Sequence, residues 1–177
     1  MILLISTCRE KFHELEFVKP IENILNERGL KFFSKHYKNI SEKDLKLANK
    51  IIICGTSLQD NQFLDDVLEF EWIKNFEKPV LGICSGMQII SLIFGAKLKS
   101  KTEMGFFNEN FKKEFLSLKE THEVYHLHNN YPALPKNFIK FNSSKIPQAI
   151  KHKAKKIYGV LFHPEVRNKK LIEEFLK

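Results

Sequence analysis

Short apolar runs alternate with amphipathic stretches along the first half of the chain. The runs are continuously apolar over four or five residues, as is typical of strands that are buried on both faces of a parallel sheet. Residues 30–34 are also a strand candidate, although this run contains two polar residues. The strand candidates are residues 2–6 (ILLIS), 30–34 (LKFFS), 51–54 (IIIC) and 80–83 (VLGI).

Helical periodicity fills the intervals between these strands. Apolar residues recur three or four positions apart, and capping or helix-stopping residues lie at the ends. The segment after the last strand is apolar nearly all round, which predicts a helix packed inside the fold. The helix candidates are 20–28 (face Ile21, Ile24, Leu25; stop at Gly29), 41–50 (capping pattern Ser41-x-x-Asp44), a longer helix before Pro79 (face Phe63, Val67, Phe70, Phe76) and 85–94 (closed by Gly95).

The second half changes to short strand candidates separated by turn residues, with one closing helix. The strand candidates are 114–118, 123–128, 138–142, 148–152 and 157–162, and the helix is 169–177. Strands alternating with helices predict an α/β fold: an open, mostly parallel sheet with helices on both faces. The additional short strands of the second half are expected to be antiparallel. We expect one domain over residues 1–177.

Composition excludes several classes of protein. The chain has 177 residues, of which 43% are hydrophobic and 28% charged, and its three cysteines are too few and too widely spaced for a disulfide framework. Its net charge is +8, but only 151–156 forms a dense basic cluster, so we expect no nucleic-acid partner. No stretch resembles a signal peptide or a membrane span, which predicts a cytoplasmic protein without a membrane partner.

Cys84 lies between a strand candidate and a helix candidate, in the pattern Gly82-x-Cys84-x-Gly86. Small flanking residues are needed at a sharp strand-to-helix turn that exposes a nucleophile. The following helix N-terminus would favour a thiolate, and the N–H of Ser85 would be a first oxyanion donor. A buried structural thiol with glycines for packing explains the same motif equally well. The motif alone leaves both alternatives open.

A nucleophilic cysteine requires a base, and the segment 158–166 (YGVLFHPEV) provides a candidate. His163 follows an apolar strand directly, and Glu165 stands two positions later. At the end of a strand such a pair can lie on one side, so that the carboxylate orients the imidazole towards the thiol. Taken alone, His-x-Glu is typical of a surface turn; joined to the cysteine motif, it indicates a Cys-His-Glu triad.

These two segments together resemble the class I, triad-type glutamine amidotransferases. The resemblance rests on GICSGMQ (82–88) and YGVLFHPEV (158–166), with IIICGTS (51–57) in the place of the family's oxyanion strand. The strands of the second half most resemble the separate glutaminase subunit of archaeal-type GMP synthases. In coarse order the resemblance covers nearly the whole chain, and it implies the corresponding α/β fold.

The resemblance implies a role for each matching residue. Cys84 would attack the side-chain amide of L-glutamine, His163 would move protons and Glu165 would orient His163. The expected substrate-binding and oxyanion residues are Gln88, Gly55, Thr56, Ser85, His128 and Asn130. The chain departs from the family at two loops, where Thr56 replaces a glycine and Asn130 replaces an aspartate.

The resemblance also implies a partner. Ammonia released from glutamine would be used by a separate synthetase, an ATP-pyrophosphatase subunit that aminates xanthosine monophosphate. Related amidotransferase subunits that serve anthranilate, carbamoyl phosphate or another nucleotide remain alternatives for the acceptor. Two further alternatives are a cysteine hydrolase of another γ-glutamyl compound and a non-catalytic regulatory relative with the same fold. No cofactor is implied. No metal is expected either, because the spacing of His122, His126 and His128 does not bring three ligands together and no carboxylate is evident to complete a set.

Overall fold

Seven strands form one sheet in the computed structural model, which describes residues 1–177. The order is β2-β1-β3-β4-β9-β8-β7; the first five are parallel, and β8 and β7 are antiparallel to their neighbours. Two further strands form a separate antiparallel hairpin. The strands are β1 (Ile2–Ser6), β2 (Phe32–His36), β3 (Lys50–Ile53), β4 (Val80–Ile83), β5 (Leu98–Phe115), β6 (Leu118–Pro132), β7 (Phe138–Lys140), β8 (Ala149–His152) and β9 (Ile157–Val160).

Helices cover both faces of the sheet, which confirms the expected α/β class. The helices are α1 (Glu14–Phe17), α2 (Lys19–Glu27), α3 (Glu42–Leu47), α4 (Gln62–Asp65), α5 (Ser85–Ile93) and α6 (Lys169–Leu176). In β1, Ile2 and Leu4 belong to a core with α2 and α6, whereas Leu3 and Ile5 belong to a core with α5. This alternation follows the two-residue period of a strand. None of the helices has the length and the apolar character that a membrane span requires.

Several of the predicted elements are present with small shifts. Strand β2 begins at Phe32 rather than at residue 30. Helix α2 ends at Glu27, just before the predicted stop at Gly29, whose φ is +64°. At the start of α3 the side chain of Ser41 accepts from the Asp44 N–H, and the Asp44 carboxylate accepts from the Ser41 N–H. The predicted capping pattern is therefore confirmed as a reciprocal capping box.

The expected longer helix before Pro79 is wrong. The chain forms the single turn of α4 and then a 3-10 helix over Val67–Asn75. The break lies at Asp66, whose φ and ψ of −104° and 18° are not helical and whose carboxylate is held by Tyr37 and Lys38. A side chain bound to a neighbouring segment competes with continuation of the helix. Of the expected packing face, Phe63 and Phe70 are buried, while Val67 and Phe76 are only half-buried.

The expected short strand at 114–118 is wrong, whereas the strand expected at 123–128 is confirmed as part of a longer one. Both segments belong to the long hairpin of β5 and β6, and residues 114–118 contain its turn, where Leu116 has φ +54°. The hairpin contributes Phe111, Phe115, Leu118 and Val124 to the α2/α6 core, while much of β5 is exposed. Because β5 is held by pairing with β6 rather than by burial, its sequence lacks a clear alternating pattern.

Candidate active site

Cys84 occupies a sharp turn between β4 and α5. Its φ and ψ are 50° and −103°, a conformation that residues with a side chain rarely adopt. The glycines on both sides are required by space: a Cβ on Gly82 would lie 2.5 Å from the backbone of Gly86, and a Cβ on Gly86 would collide with the Ile53 carbonyl oxygen. The glycine-flanked cysteine motif is therefore a strained strand-to-helix turn, which presents the Cys84 side chain at the floor of a pocket although only 4% of the residue is exposed.

His163 and Glu165 form a buried pair just after β9. Nδ1 of His163 lies 2.7 Å from Oε1 of Glu165, and both side chains are 1% exposed. The backbone N–H of His163 donates to the Tyr125 carbonyl. The ring of Phe17 packs against the imidazole, with 5.4 Å between the two ring centroids. Burial alone lowers the pKa of His163, but the charges of Glu165 and Cys84 outweigh it and raise this pKa well above its ordinary value.

Gly55 shows directly that the cysteine and the histidine lie together. A Cβ on Gly55, at the end of β3, would lie 2.7 Å from Cε1 of His163 and 3.4 Å from Cβ of Cys84. The other imidazole nitrogen of His163, Nε2, has no hydrogen-bond partner. The structure thus brings all three predicted triad residues to the carboxyl ends of β3, β4 and β9, where α/β folds place their reactive groups.

Two backbone N–H groups near Cys84 are not used by the fold. Neither the N–H of Ser85 nor that of Thr56 takes part in a hydrogen bond within the chain. Below them, the hydroxyls of Thr7 and Ser85 lie 2.8 Å apart, and each lies 3.1 Å from the Cys54 carbonyl oxygen, so that one hydroxyl donates to the other and the second donates to the carbonyl. This network fixes the ends of β1 and β3 against the start of α5, so that two free donors stand beside the thiol.

The side chain of Thr56 has a specific partner. Its hydroxyl donates to Oδ2 of Asp60 at 2.9 Å, and the same carboxylate oxygen accepts from the backbone N–H of Arg9. Thr56 and Asp60 are both buried. The bond to the buried Asp60 carboxylate therefore fixes the backbone at Thr56, the position where the class I amidotransferases that this chain resembles have glycine.

A small, mostly polar pocket opens over Cys84. It lies between residues 56–63 on one side and residues 127–130 on the other, and its wall includes Gln88. Among the residues predicted for catalysis or substrate binding, those that line the pocket are Thr56, Cys84, Ser85, Gln88, His128 and Asn130. Gly55, His163 and Glu165 lie behind this wall. Nε2 of Gln88 donates to the Asn130 carbonyl at 3.2 Å, which ties the helix to the β6 wall.

The β6 wall touches the side chain of Cys84. The thiol of Cys84 donates to the carbonyl of Leu127 at 3.4 Å. Nδ2 of Asn129 donates to the Leu58 carbonyl at 3.1 Å, which holds this wall to the opposite side of the pocket. Oδ1 of the same amide accepts from the Thr102 hydroxyl of β5 at 2.9 Å, which orients the amide within the hairpin. The width of the pocket is therefore set by side chains at the end of the hairpin.

The histidines of β6 differ from expectation. His122 stays near the hairpin turn, where Nε2 lies 2.9 Å from the Lys119 carbonyl, but His126 and His128 converge on Glu103. The expectation that no carboxylate completes a set is wrong, since antiparallel pairing brings Glu103 opposite His128. Burial lowers the pKa of His126, and burial lowers that of His128 to about 4.

The other two cysteines do not line the pocket. Cys8 and Cys54 are buried and unpaired, and burial raises the pKa of both thiols, that of Cys54 well above the ordinary value. Thiols that stay protonated are poor nucleophiles. Cys54 belongs to the hydrophobic core that α2 and α6 cover.

Several contributors to the site were not predicted from the sequence, and Asn129 is one of them. Leu127 acts through its backbone carbonyl, which no residue type reveals. Phe17 and Glu103 reach the site from distant segments, whereas Asp60 lies four residues after Thr56 in the same loop. An available signal was the spacing of Thr56 and Asp60, which suits a local side-chain hydrogen bond within one loop.

Comparison with known proteins shows the relationship of the whole chain. The family described as glutamine amidotransferase class-I matches residues 13–177. A protein from Pyrococcus abyssi, named as one subunit of a glutamine-hydrolyzing GMP synthase, is 33% identical over 146 residues, which cover 76% of this chain and 77% of that protein. The corresponding protein from Methanosphaera stadtmanae is 39% identical over 108 residues, 55% of this chain and 57% of that one.

Longer relatives and solved structures complete the comparison. A glutamine-hydrolyzing GMP synthase from Spiroplasma kunkelii is 37% identical over 125 residues; the match covers 67% of this chain but only 24% of that protein. A Thermoplasma acidophilum crystal structure has a TM-score of 0.86 at 24% identity, covering 99% of this chain and 91% of that one. A Thermotoga maritima glutamine amidotransferase has a TM-score of 0.73 at 19% identity, covering 99% and 80%. These two structures support the fold alone.

Proposed function

The chain belongs to the class-I glutamine amidotransferase family, and on that premise we propose that it hydrolyses L-glutamine to glutamate and ammonia through a thioester on Cys84. The observation that carries this proposal is the strained turn of Cys84 beside the buried His163–Glu165 pair. A positive φ at a cysteine has a conformational cost, and such strain is found where a reactive side chain must be presented.

The raised pKa of His163 suits the first chemical step. The imidazolium can stand beside the Cys84 thiolate, which attacks the γ-carboxamide carbon of glutamine. As the C–N bond breaks, His163 gives its proton to the departing amine, and ammonia leaves a γ-glutamyl thioester. Water then attacks the thioester carbon, His163 accepts a proton from it, and glutamate leaves as the thiolate is restored. Glu165 keeps the imidazole oriented throughout.

The free N–H groups of Ser85 and Thr56 are the proposed oxyanion donors. During both attacks the former carbonyl oxygen carries negative charge, and fixed donors stabilise it without reorganisation. Gly55 precedes Thr56 and allows the imidazole to lie against the backbone, because a Cβ there would collide with the ring. The hydroxyl bond from Thr56 to Asp60 holds this loop in place.

The pocket walls are proposed to bind the amino-acid part of glutamine. Gln88 lies one turn after Cys84, and Asn130 lies opposite it with its side-chain amide free to bind the substrate. His128 also borders the pocket, but its ring lies against Glu103 with no exposed surface. We therefore assign to His128 a role in shaping the wall rather than a side-chain contact with glutamine.

We propose that the ammonia passes to a separate ATP-pyrophosphatase subunit that aminates xanthosine monophosphate. The support is the similarity to the Pyrococcus and Methanosphaera proteins, which are named as single subunits of GMP synthase. The chain spans about a quarter of the Spiroplasma GMP synthase and 57% of the Methanosphaera protein. The acceptor and the partner are thus assigned from relatives rather than from a site in this chain.

The deciding experiment mixes this chain with the candidate synthetase, ATP, xanthosine monophosphate and L-glutamine. We expect glutamine-dependent formation of GMP, which Cys84→Ala abolishes while free ammonia restores it. Ammonia release from other γ-glutamyl compounds in preference to glutamine, without need of a synthetase, would support a γ-glutamyl hydrolase instead. No release of ammonia from any of these mixtures would support a non-catalytic relative.

A further inference from the structure

Glu103, His126 and His128 form a buried cluster on the β5–β6 hairpin, next to the proposed active site but separate from its triad. Cross-strand pairing places Glu103 opposite His128, and the two-residue period of β6 places both histidines on one face. Oε2 of Glu103 lies 3.1 Å from Nδ1 of His126 and 3.2 Å from Nε2 of His128. The ligand atoms of all three side chains lie within 4.8 Å of one another.

Polar atoms in and around this cluster lack partners within the protein. They are Nε2 of His126, both ring nitrogens of His128 and Oε1 of Gln148. The 3.2 Å contact of His128 with Glu103 does not have the geometry of a hydrogen bond, although the distance would permit one. Both histidines are 2% exposed or less. Buried polar groups are nearly always satisfied, so the unpartnered Nε2 of His128 beside the Glu103 carboxylate indicates a missing ligand.

We propose that Glu103, His126 and His128 bind a divalent transition-metal ion of the zinc type. In tetrahedral zinc sites the bonds to nitrogen and oxygen are about 2.0–2.1 Å, which places neighbouring ligand atoms about 3.3 Å apart. The two distances from Glu103 to the histidines are already close to this value.

The side chains around the cluster suit a metal ion with three protein ligands and a fourth coordination position. Lys101 binds Oε1 of Glu103 at 3.0 Å and leaves Oε2 to the cluster. Nε2 of Gln148 donates to the same Oε2 at 3.0 Å, and a flip of this amide would present its unpartnered oxygen instead. Oε1 of Glu109 lies 4.0 Å from Nε2 of His126 and can orient that ring.

The proposed metal ion would act on the pocket through the backbone. Leu127 lies between the two histidines, and its carbonyl accepts from the Cys84 thiol. Fixing His126 and His128 therefore fixes the wall that touches the nucleophile.

The test is zinc binding by the metal-free protein, measured by calorimetry or by competition with a chromophoric chelator. We expect one zinc ion per chain and a rise in melting temperature. Glu103→Gln and His126→Asn should each weaken binding about tenfold or more, because each removes a ligand. The matched control is His122→Asn, on the same strand but outside the cluster, which should bind zinc like the parent.

A second control excludes binding by the catalytic thiol. Cys84→Ala should retain zinc binding, and X-ray absorption of the zinc-loaded parent should show nitrogen and oxygen ligands without sulfur. This spectrum decides the matter even where a cluster variant fails to fold. Absence of zinc binding by the parent, or a sulfur ligand together with loss of binding in Cys84→Ala, would overturn the proposal.

Discussion

The Cys84 thiol donates a hydrogen bond to the backbone carbonyl of Leu127 at 3.4 Å, so the β5–β6 hairpin lies directly against the proposed nucleophile. A substrate amide must therefore enter between the end of β6 and the loop that follows β3. The hairpin thus forms one wall of the pocket, and its attachment to the opposite wall should control substrate affinity.

Asn129→Ala tests that attachment. The substitution removes the hydrogen bonds with Leu58 and Thr102, each worth about 1 kcal/mol, so the KM for glutamine should rise by about 5- to 30-fold with a smaller change in kcat. Steady-state kinetics measure the split. Thr102→Val, which removes only one of the two bonds, should have a smaller effect. A fall in kcat at unchanged KM would argue against this role for the hairpin.

Gly55→Ala tests the contact between the β3 loop and the base. The added Cβ would lie 2.7 Å from Cε1 of His163 and would push the imidazole away from its present position. Because a displacement of about 1 Å can cost about 100-fold in rate, kcat/KM should fall by about that factor. Circular dichroism should show an unchanged fold. Activity equal to that of the parent would mean that the imidazole works from another position.

Thr56→Val tests the hydroxyl that holds the proposed oxyanion loop. Valine keeps the shape of threonine but leaves Asp60 without its buried hydroxyl donor. A hydrogen bond to a charged group contributes about 1.5–3 kcal/mol, so the free energy of unfolding should fall by about that amount, together with kcat. Thr56→Ser keeps the hydroxyl and should resemble the parent in both urea denaturation and turnover. Equal losses in the two variants would contradict the proposed role of the hydroxyl.

The pH dependence of His163 follows from its environment. Its folded pKa lies above the value of about 6.5 for an unfolded histidine. The pair therefore stabilises the fold fully below pH of about 6.5, and this contribution is lost as the pH rises through the folded pKa. Glu165→Gln removes a charge that raises the pKa, so the pKa of His163 should fall and the alkaline limb of kcat/KM should move to lower pH. Titration of the imidazole by NMR checks this, and an unchanged midpoint would refute the assignment.

The parallel core of the fold was predictable because its signals are local. Buried strands such as Ile2–Ser6 are continuous apolar runs, and the capping box at Ser41 lies within four residues. The hairpin was not predictable in the same way, since β5 is largely exposed and is held by pairing with β6. The broken helix depends on contacts of Asp66 with Tyr37 and Lys38, about thirty residues away.

The same distinction applies to the site. Cys84, His163 and Glu165 lie in short motifs beside apolar strands, and the structure brings them together as predicted. The carbonyl of Leu127 and the carboxylate of Glu103 reach their positions through strand pairing. No local pattern of residue types specifies that pairing, so these contacts became visible only in the structure.

The most direct measurement of the central claim is mass spectrometry of the chain quenched in acid during turnover of L-glutamine, alone and with the synthetase. We predict a γ-glutamyl adduct on the peptide that contains Cys84, and neither adduct nor ammonia with Cys84→Ala. Ammonia release at the parent rate by Cys84→Ala would contradict the thioester mechanism.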